Sequence, residues 1–451
     1  MRAHVFISLA MALGCAPAPS AETQRSDLRV HTQVRESQGW LLSETILENV
    51  DAEGAVQMFA VSEDVIFAIV NGVLFRVSVE SASVLPFPEG ERATNVLSVG
   101  TSRIVLARQS EGARTEDGES LSVYLIEHLD EVPAILRPIG SASMCNVVDA
   151  TRVANSVVLI DACGEVVRLH HFSEDQIGHA ISMTVEDMRN NSEPRRGIWT
   201  AAWRLEAFER GLVAVGPAPL AACGFGLRAV EISYEMQVKS ETEVCLAELN
   251  RREADLPPFV FAESRQGLII AGRYVTSPRM TRDDLRSPRD SEPGAFQSTV
   301  FQGRIASDGQ DKIAFALITQ TEVPYSSETA WTFGKLGDEV LVLEGRRNDS
   351  NPSPVYTAWD CSGPRSTDQD FRANFILRDF ANRTLATFEA TPGGILEHLY
   401  NTLYWTPVTL GTGAPAFAVQ SPPHQDGSCM PTGGHRLLIM SPITPVEPQR
   451  G

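Results

Sequence analysis

One pattern governs this chain: a short apolar strand, a turn, then a strand in which polar and apolar residues alternate. Its clearest copy runs VIFAIV over 65–70, Asn71-Gly72, then VLFRVSVE over 73–80. Asn-Gly accepts the two positive φ angles of a type I′ turn, whose twist matches the strands it joins. Arg76, Ser78 and Glu80 alternate with apolar residues, which gives the second strand one wet face. The first strand is apolar throughout, as expected of a strand covered on both faces.

The unit recurs along the chain. RIVLA (103–107) leads to LSVYLIE (121–127), SVVLI (156–160) to EVVRLHHF (165–172), and GLVAV (211–215) to LRAVEISY (227–234). GLIIA (267–271) leads to STVFQGRIASDG (298–309), DEVLVLE (338–344) to VYTAWD (355–360), and TLYW (402–405) to PAFAVQ (415–420). First strands starting at Val65, Ile104, Val157, Leu212, Leu268, Val340 and Leu403 lie 39 to 72 residues apart. Several short strands recurring every roughly 40 to 60 residues mark propeller blades. A lone four-stranded blade leaves two apolar faces bare, and a ring of blades covers them. The expectation is an all-β fold, a β-propeller of seven blades of short antiparallel strands over 40–446, followed by a tail at 447–451. Six or eight blades are the alternatives. Little helix is expected: 173–189 has room for a short one, and 200–211 reads as helix or strand.

Ahead of the repeats, MRAHVFISLAMALGC joins a cationic Arg2 to an uncharged apolar run over 5–13. A bilayer span takes about 20 apolar residues, so this run fits a secretory signal over 1–14 instead. No later stretch is apolar enough over that length. Ala12-Leu13-Gly14-Cys15 resembles the lipobox of bacterial lipoproteins, with its leucine two positions before the cysteine rather than three. The resemblance implies acylation of the Cys15 thiol and an address in the outer membrane, the periplasm or the cell surface. A plain secretory cut after Ala18 or Ala21 is the alternative. Residues 15–39 begin with CAPAPSAETQRSD, too polar and proline-rich to bury a core, and read as a flexible spacer.

With Cys15 set aside for lipid, six cysteines remain: Cys145, Cys163, Cys223, Cys245, Cys361 and Cys429. An even number suits three disulfides in an oxidising compartment. Six cysteines allow about 15 pairings, and the one that joins sequence neighbours gives Cys145 with Cys163, Cys223 with Cys245, and Cys361 with Cys429. None belongs to a CxxC or a Cys/His cluster, so no zinc site is expected.

Acidic residues outnumber basic ones by 57 to 38, for a formal charge of −19. Such a surface repels phosphate backbones and anionic lipid, which excludes nucleic acid and leaves the lipid anchor as the membrane contact. Lysines are limited to Lys239, Lys312 and Lys335, which removes most lysine-based mechanisms. The chain has no GxSxG elbow, HExxH, P-loop or strand-linked GxGxxG. His170 and His171 are adjacent on an expected strand and point to opposite faces, so they do not share an ion. Asn348-Asp349-Ser350-Asn351 lacks the spaced carboxylates of a calcium loop. His424 and Asp426 fall in a turn near Cys429, and Trp359-Asp360 resembles the closing dipeptide of WD40 repeats but occurs once. Trp331, Tyr356, Trp359, Tyr404 and Trp405 crowd the last third and read as core packing. Residues 186–197, 276–294 and 346–354 are rich in Pro, Ser, Asp and Arg and read as exposed loops.

No catalytic residue, metal ligand or cofactor is therefore expected. The functional expectation is an exported, membrane-tethered propeller lipoprotein, a non-catalytic binding or scaffold module whose partner is an envelope protein or a glycan. The alternative is an extracytoplasmic hydrolase or lyase, with side chains from several blades meeting at the channel mouth without a linear motif.

Overall fold

The computed structural model describes strands and turns between residues 29 and 443. Residues 1–28 and 444–451 lie outside the described residues, as do most longer connections, among them 110–117, 188–202, 249–259, 277–296, 348–372 and 391–405. Every regular element among the described residues is a strand.

The strands form seven antiparallel sheets in chain order, with one extra two-stranded ribbon, His424–Gln425 against Pro431–Thr432. Blade 1 holds Val56–Ala60, Ile66–Val70, Val73–Ser78 and Ser81–Leu85. Blade 2 holds Glu91–Val99, Ser102–Gln109, Glu119–Glu127 and Ile135–Met144. Blade 3 holds Val147–Val153, Ser156–Cys163, Val166–Ser173 and Ala180–Asp187. Blade 4 holds Arg204–Phe208, Gly211–Ala218, Gly224–Ser233 and Val238–Glu248. Blade 5 holds Val260–Ser264, Gly267–Thr276, Gln297–Ser307 and Ile313–Pro324. Blade 6 holds Thr329–Leu336, Glu339–Arg347, Ala373–Asp379 and Thr384–Ala390.

Blade 7 closes the ring with both ends of the described chain. Its five strands run, from inside outward, Thr406–Val408, Phe417–Ser421, His435–Pro442, Trp40–Glu48 and Arg29–Ser37. Trp40–Glu48 pairs with His435–Pro442 over eight positions, from Trp40 opposite Pro442 to Leu47 opposite His435.

The ring is held by apolar layers between blades. Ile66, Ala68 and Val70 pack with Leu47, Leu437 and Ile439 of blade 7, while Phe67 and Ile69 pack with Val96, Val105 and Ile126 of blade 2. A strand with period-two side chains can serve two neighbours only if both faces are apolar, and all five residues of Ile66–Val70 are buried. The same sharing joins blade 2 to 3 through Leu106, Leu159 and Phe172, blade 3 to 4 through Ile160, Leu169 and Leu212, and blade 4 to 5 through Val213, Ile270 and Phe301. Thr329–Leu336 touches Val260–Ser264 on one side and Thr406–Val408 on the other, which completes the circuit. First strands touch one another between blades 1 and 2, 2 and 3, 3 and 4, 5 and 6, and 6 and 7, and so line the axis. The outer strands form the rim, where Val34, Ile135, Ile181, Val238, Ile318 and Leu385 are exposed. Single apolar residues spread around a surface in this way are ordinary.

The expected hairpin is present: Ile66–Val70 and Val73–Ser78 flank Asn71 and Gly72 at φ 52° and 84°. Four expectations need correction. Among the described residues, regular structure starts at Arg29, inside the stretch read as spacer, because Arg29–Ser37 is an edge strand held by its pairing to Trp40–Glu48 and needs few apolar side chains. The partner of Glu339–Arg347 is Ala373–Asp379, whose Phe375 and Leu377 are buried; the expected partner, 355–360, lies outside the described residues. The expected first strand of the seventh unit, 402–405, lies outside the described residues; the described partner of Phe417–Ser421 on that side is Thr406–Val408, and the two are the first and second strands of their blade rather than the second and third. The helix allowed for 173–189 is instead the strand Ala180–Asp187, and 200–211 contains the strand Arg204–Phe208. The three expected loops lie outside the described residues except where their ends continue a strand.

Candidate functional site

In an up-and-down blade, the turn after the second strand and the link to the next blade sit at the same end of the sheet. Here Gly72 of the blade 1 turn accepts a hydrogen bond from Ala93 N at the start of blade 2, 2.8 Å away. On this same end, the polar groups of blade 3 gather around one carboxylate.

Asp161 follows the apolar run 157–160 of the second strand, with Ala162 and Cys163 after it, and is fully buried. Its Oδ1 accepts from Cys145 N at 2.9 Å and Asn146 N at 2.7 Å, both in the link from blade 2. Its Oδ2 accepts from Arg168 Nη2 at 2.6 Å and Nε at 3.1 Å, and lies 3.5 Å from His170 Nε2. Sheet register sets this up, since Asp161 is directly opposite Arg168 across the second and third strands. Burial pushes the Asp161 carboxyl up, but the bonds from His170, Asn146 N and Arg168 outweigh it and hold the group below the usual carboxylate range. His170 Nδ1 is 2.7 Å from Ser182 Oγ, its cross-strand partner.

Beside this network Cys145 and Cys163 form a disulfide, with Cα atoms 5.1 Å apart, tying the blade 2–3 link to the turn that follows the second strand. Asp161 and the two sulfurs lie within 4.8 Å of one another. The disulfide takes both thiolates away as metal ligands, because a metal binds the thiolate.

A second charged pair, half-buried, sits on the first strands of blades 3 and 4. Asp149 Oδ2 accepts from Leu205 N of blade 4 at 2.8 Å, and its Oδ1 accepts from Ala150 N at 2.9 Å. Burial pushes the Asp149 carboxyl up, with Arg204 and the two N–H groups pulling against it; burial likewise lowers Arg204, with Asp149 opposing. Arg204 Nη1 also donates to Trp203 O at 2.6 Å. The pair thus joins the inner strands of blades 3 and 4.

Two further clusters gather around glutamates, the first within blade 2 and the second between blades 2 and 3. Glu91 accepts from Tyr124 Oη at 2.5 Å, Ser122 Oγ at 2.8 Å and Gln109 Nε2 at 3.1 Å, and burial together with Glu91 pushes the Tyr124 phenol up to about 12. At the opposite end of the ring Glu174 binds Arg137 at 2.7 Å and Arg152 at 3.0 Å, and Arg152 Nη1 donates to Ser102 Oγ at 2.9 Å. Each cluster spends its charge on protein partners.

Of the residues singled out in the sequence, Cys145 and Cys163 are joined as expected, and Cys245 is disulfide-bonded. Cys15, Cys223, Cys361 and Cys429 lie outside the described residues. His170 is buried and His171 half-buried, on opposite faces of their strand, and burial lowers the His171 pKa. His424 is in the two-stranded ribbon, while 348–351, Trp359, Asp360 and Asp426 lie outside the described residues. Sequence reasoning missed Asp149, Asp161, Arg168 and Arg204. The available signal was an acid continuing an apolar run, as in VVLID and VVD, because such a position is buried by its neighbours and requires a partner.

These features define the class: a seven-bladed β-propeller, closed by pairing of Trp40–Glu48 with His435–Pro442. No family model matches the chain, and no curated protein matches it. Among solved structures it is similar to a mutant Synechocystis apocarotenoid oxygenase, at 8% identity and a TM-score of 0.39 over 75% of this chain and 71% of that one. It is also similar to a chain of an S. cerevisiae assembly of Dbp5 with Nup159, Gle1, IP6 and ADP, at 10% identity and a TM-score of 0.37 over 92% and 95%. A third is an exo-β-1,3-galactanase from Clostridium thermocellum, at 7% identity and a TM-score of 0.28 over 90% and 92%. At these scores nothing follows about this chain's chemistry, and its fold stands on its own ring of sheets.

Proposed function

We propose that this chain is an exported lipoprotein, tethered through Cys15, whose propeller is a non-catalytic binding or scaffold module in the cell envelope. The observation that carries the export reading is the Cys145–Cys163 disulfide, because such bonds persist in oxidising compartments and are rare in the cytosol. Disulfide bonding at Cys245 adds to it. Support for a non-catalytic role comes from the clusters around Asp161, Asp149, Glu91 and Glu174, where acids and bases that could act on a substrate are already bound to protein groups. A binding partner would meet the loops at either end of the ring, and an envelope protein or glycan fits the acidic surface better than a polyanion does.

Fractionation of cells expressing the full chain tests the tether. Wild type sediments with membranes and carries a mass increment on the peptide that begins at Cys15, whereas Cys15→Ser moves to the soluble envelope fraction. Membrane retention of Cys15→Ser removes the anchor from this reading. Cross-linking in intact cells, followed by mass spectrometry, tests the binding role: reproducible cross-links from the propeller to one envelope component support it. Turnover of a small substrate by the purified chain contradicts it.

A further inference from the structure

The environment of the Cys145–Cys163 disulfide is lopsided. Both cysteines are half-buried rather than sealed in the core. Asp161 places a carboxylate oxygen within 4.8 Å of both. Arg168 adds a cation beside one of them: its Nη2 is 3.5 Å from Cys145 Sγ. The guanidinium is fixed there by two hydrogen bonds to Asp161, itself anchored by Cys145 N and Asn146 N, and its side chain retains only 19% exposure.

Thiol–disulfide exchange is directed by the leaving sulfur, since the thiolate better stabilised as it departs leaves faster. A neighbouring arginine stabilises a thiolate. We infer that Cys163 is a thiol-exchange site for small-molecule thiols, with Cys145 as the leaving group and Arg168 as the positioning residue that selects it. A thiolate attacks Cys163 Sγ and forms a new sulfur–sulfur bond, while the Cys163–Cys145 bond breaks and its electron pair goes to Cys145 Sγ beside Arg168. The product is a mixed disulfide on Cys163 and a thiolate on Cys145. No further oxidant or reductant is required for this step. The exchange frees the link between blades 2 and 3 from the turn after the second strand of blade 3, so the thiol state of the surroundings is written onto one end of the ring.

The test treats the purified full chain with reduced glutathione, quenches with acid at timed intervals, labels free thiols with a maleimide and maps the peptides. Glutathione on Cys163 with maleimide on Cys145 is expected to exceed the converse product by about tenfold, following the preference for the better leaving thiolate. Arg168→Lys retains a cation and keeps the preference. Arg168→Gln brings the two products close to parity. The wild-type map stands alone if Arg168→Gln does not fold. Equal products, an excess of glutathione on Cys145, or no adduct on either cysteine overturns the inference.

Discussion

Blades 1 and 3 use the same four-stranded sheet and finish it in different ways. Blade 1 is apolar through its second strand and turns on Asn71-Gly72, with Leu47 and Ile439 against one face and Val96 and Val105 against the other. Blade 3 has the same layers, with Val157, Leu159 and Phe172 toward blade 2 and Val158, Ile160 and Leu169 toward blade 4. To these it adds a polar end built from Asp161, Arg168, His170 and Ser182, and a disulfide. The difference separates two jobs. The apolar layers make the ring, and the polar end distinguishes one blade from another and fixes its link to the blade before.

The largest test compares the shared layers. Phe75→Ala and Phe172→Ala each remove a fully buried ring. Each is expected to cost about 4 kcal/mol in chemical denaturation, as large-to-small core changes do. A much smaller loss for Phe172→Ala would break the comparison, because the polar end would then be doing the work of the apolar layer.

Asp161→Asn should cost about 3 kcal/mol, because it leaves Arg168 without the carboxylate that it was built around. Its pH dependence has a definite sign. The folded carboxyl titrates below its unfolded value, so its contribution is fully present above pH of about 4 and fades as pH falls through the lowered folded value. Unfolding midpoints of wild type and variant therefore converge in acid. A constant difference down to low pH contradicts the ion-pair account. Next in size, Cys145→Ser with Cys163→Ser opens a link spanning 18 residues and should lose about 2 to 3 kcal/mol. The smallest effect belongs to blade 1: Gly72→Ala places a Cβ at φ 84° and 3.0 Å from Arg92 Cβ, costing about 1 kcal/mol. A neutral Gly72→Ala would mean that the turn tolerates other geometry.

Much of the ring was legible because blade cores repeat. Apolar second strands such as those at 66–70, 104–107, 157–160 and 212–215 have two buried faces, and nothing else in the chain produces that run so regularly. The closing sheet was harder to see. Arg29–Ser37 is largely exposed and is defined by backbone pairing to a neighbour, so its side chains show little alternation. Leu437 to Met440 is an apolar run whose partner lies almost the length of the chain away, and local pattern cannot name it. The polar site was the least legible. Asp161 and Arg168 are only seven residues apart, yet their pairing depends on register across a turn, and Asp149 meets Leu205 N only once blades 3 and 4 are packed.

The central claim is that residues near the two chain ends close the ring in one sheet. Hydrogen–deuterium exchange of the full chain, read by mass spectrometry over 40–47 and 435–442, tests it most directly. The ring predicts that both segments exchange as slowly as 66–70 and lose protection together as denaturant is raised. Fast exchange of 40–47 while 435–442 stays protected would contradict it.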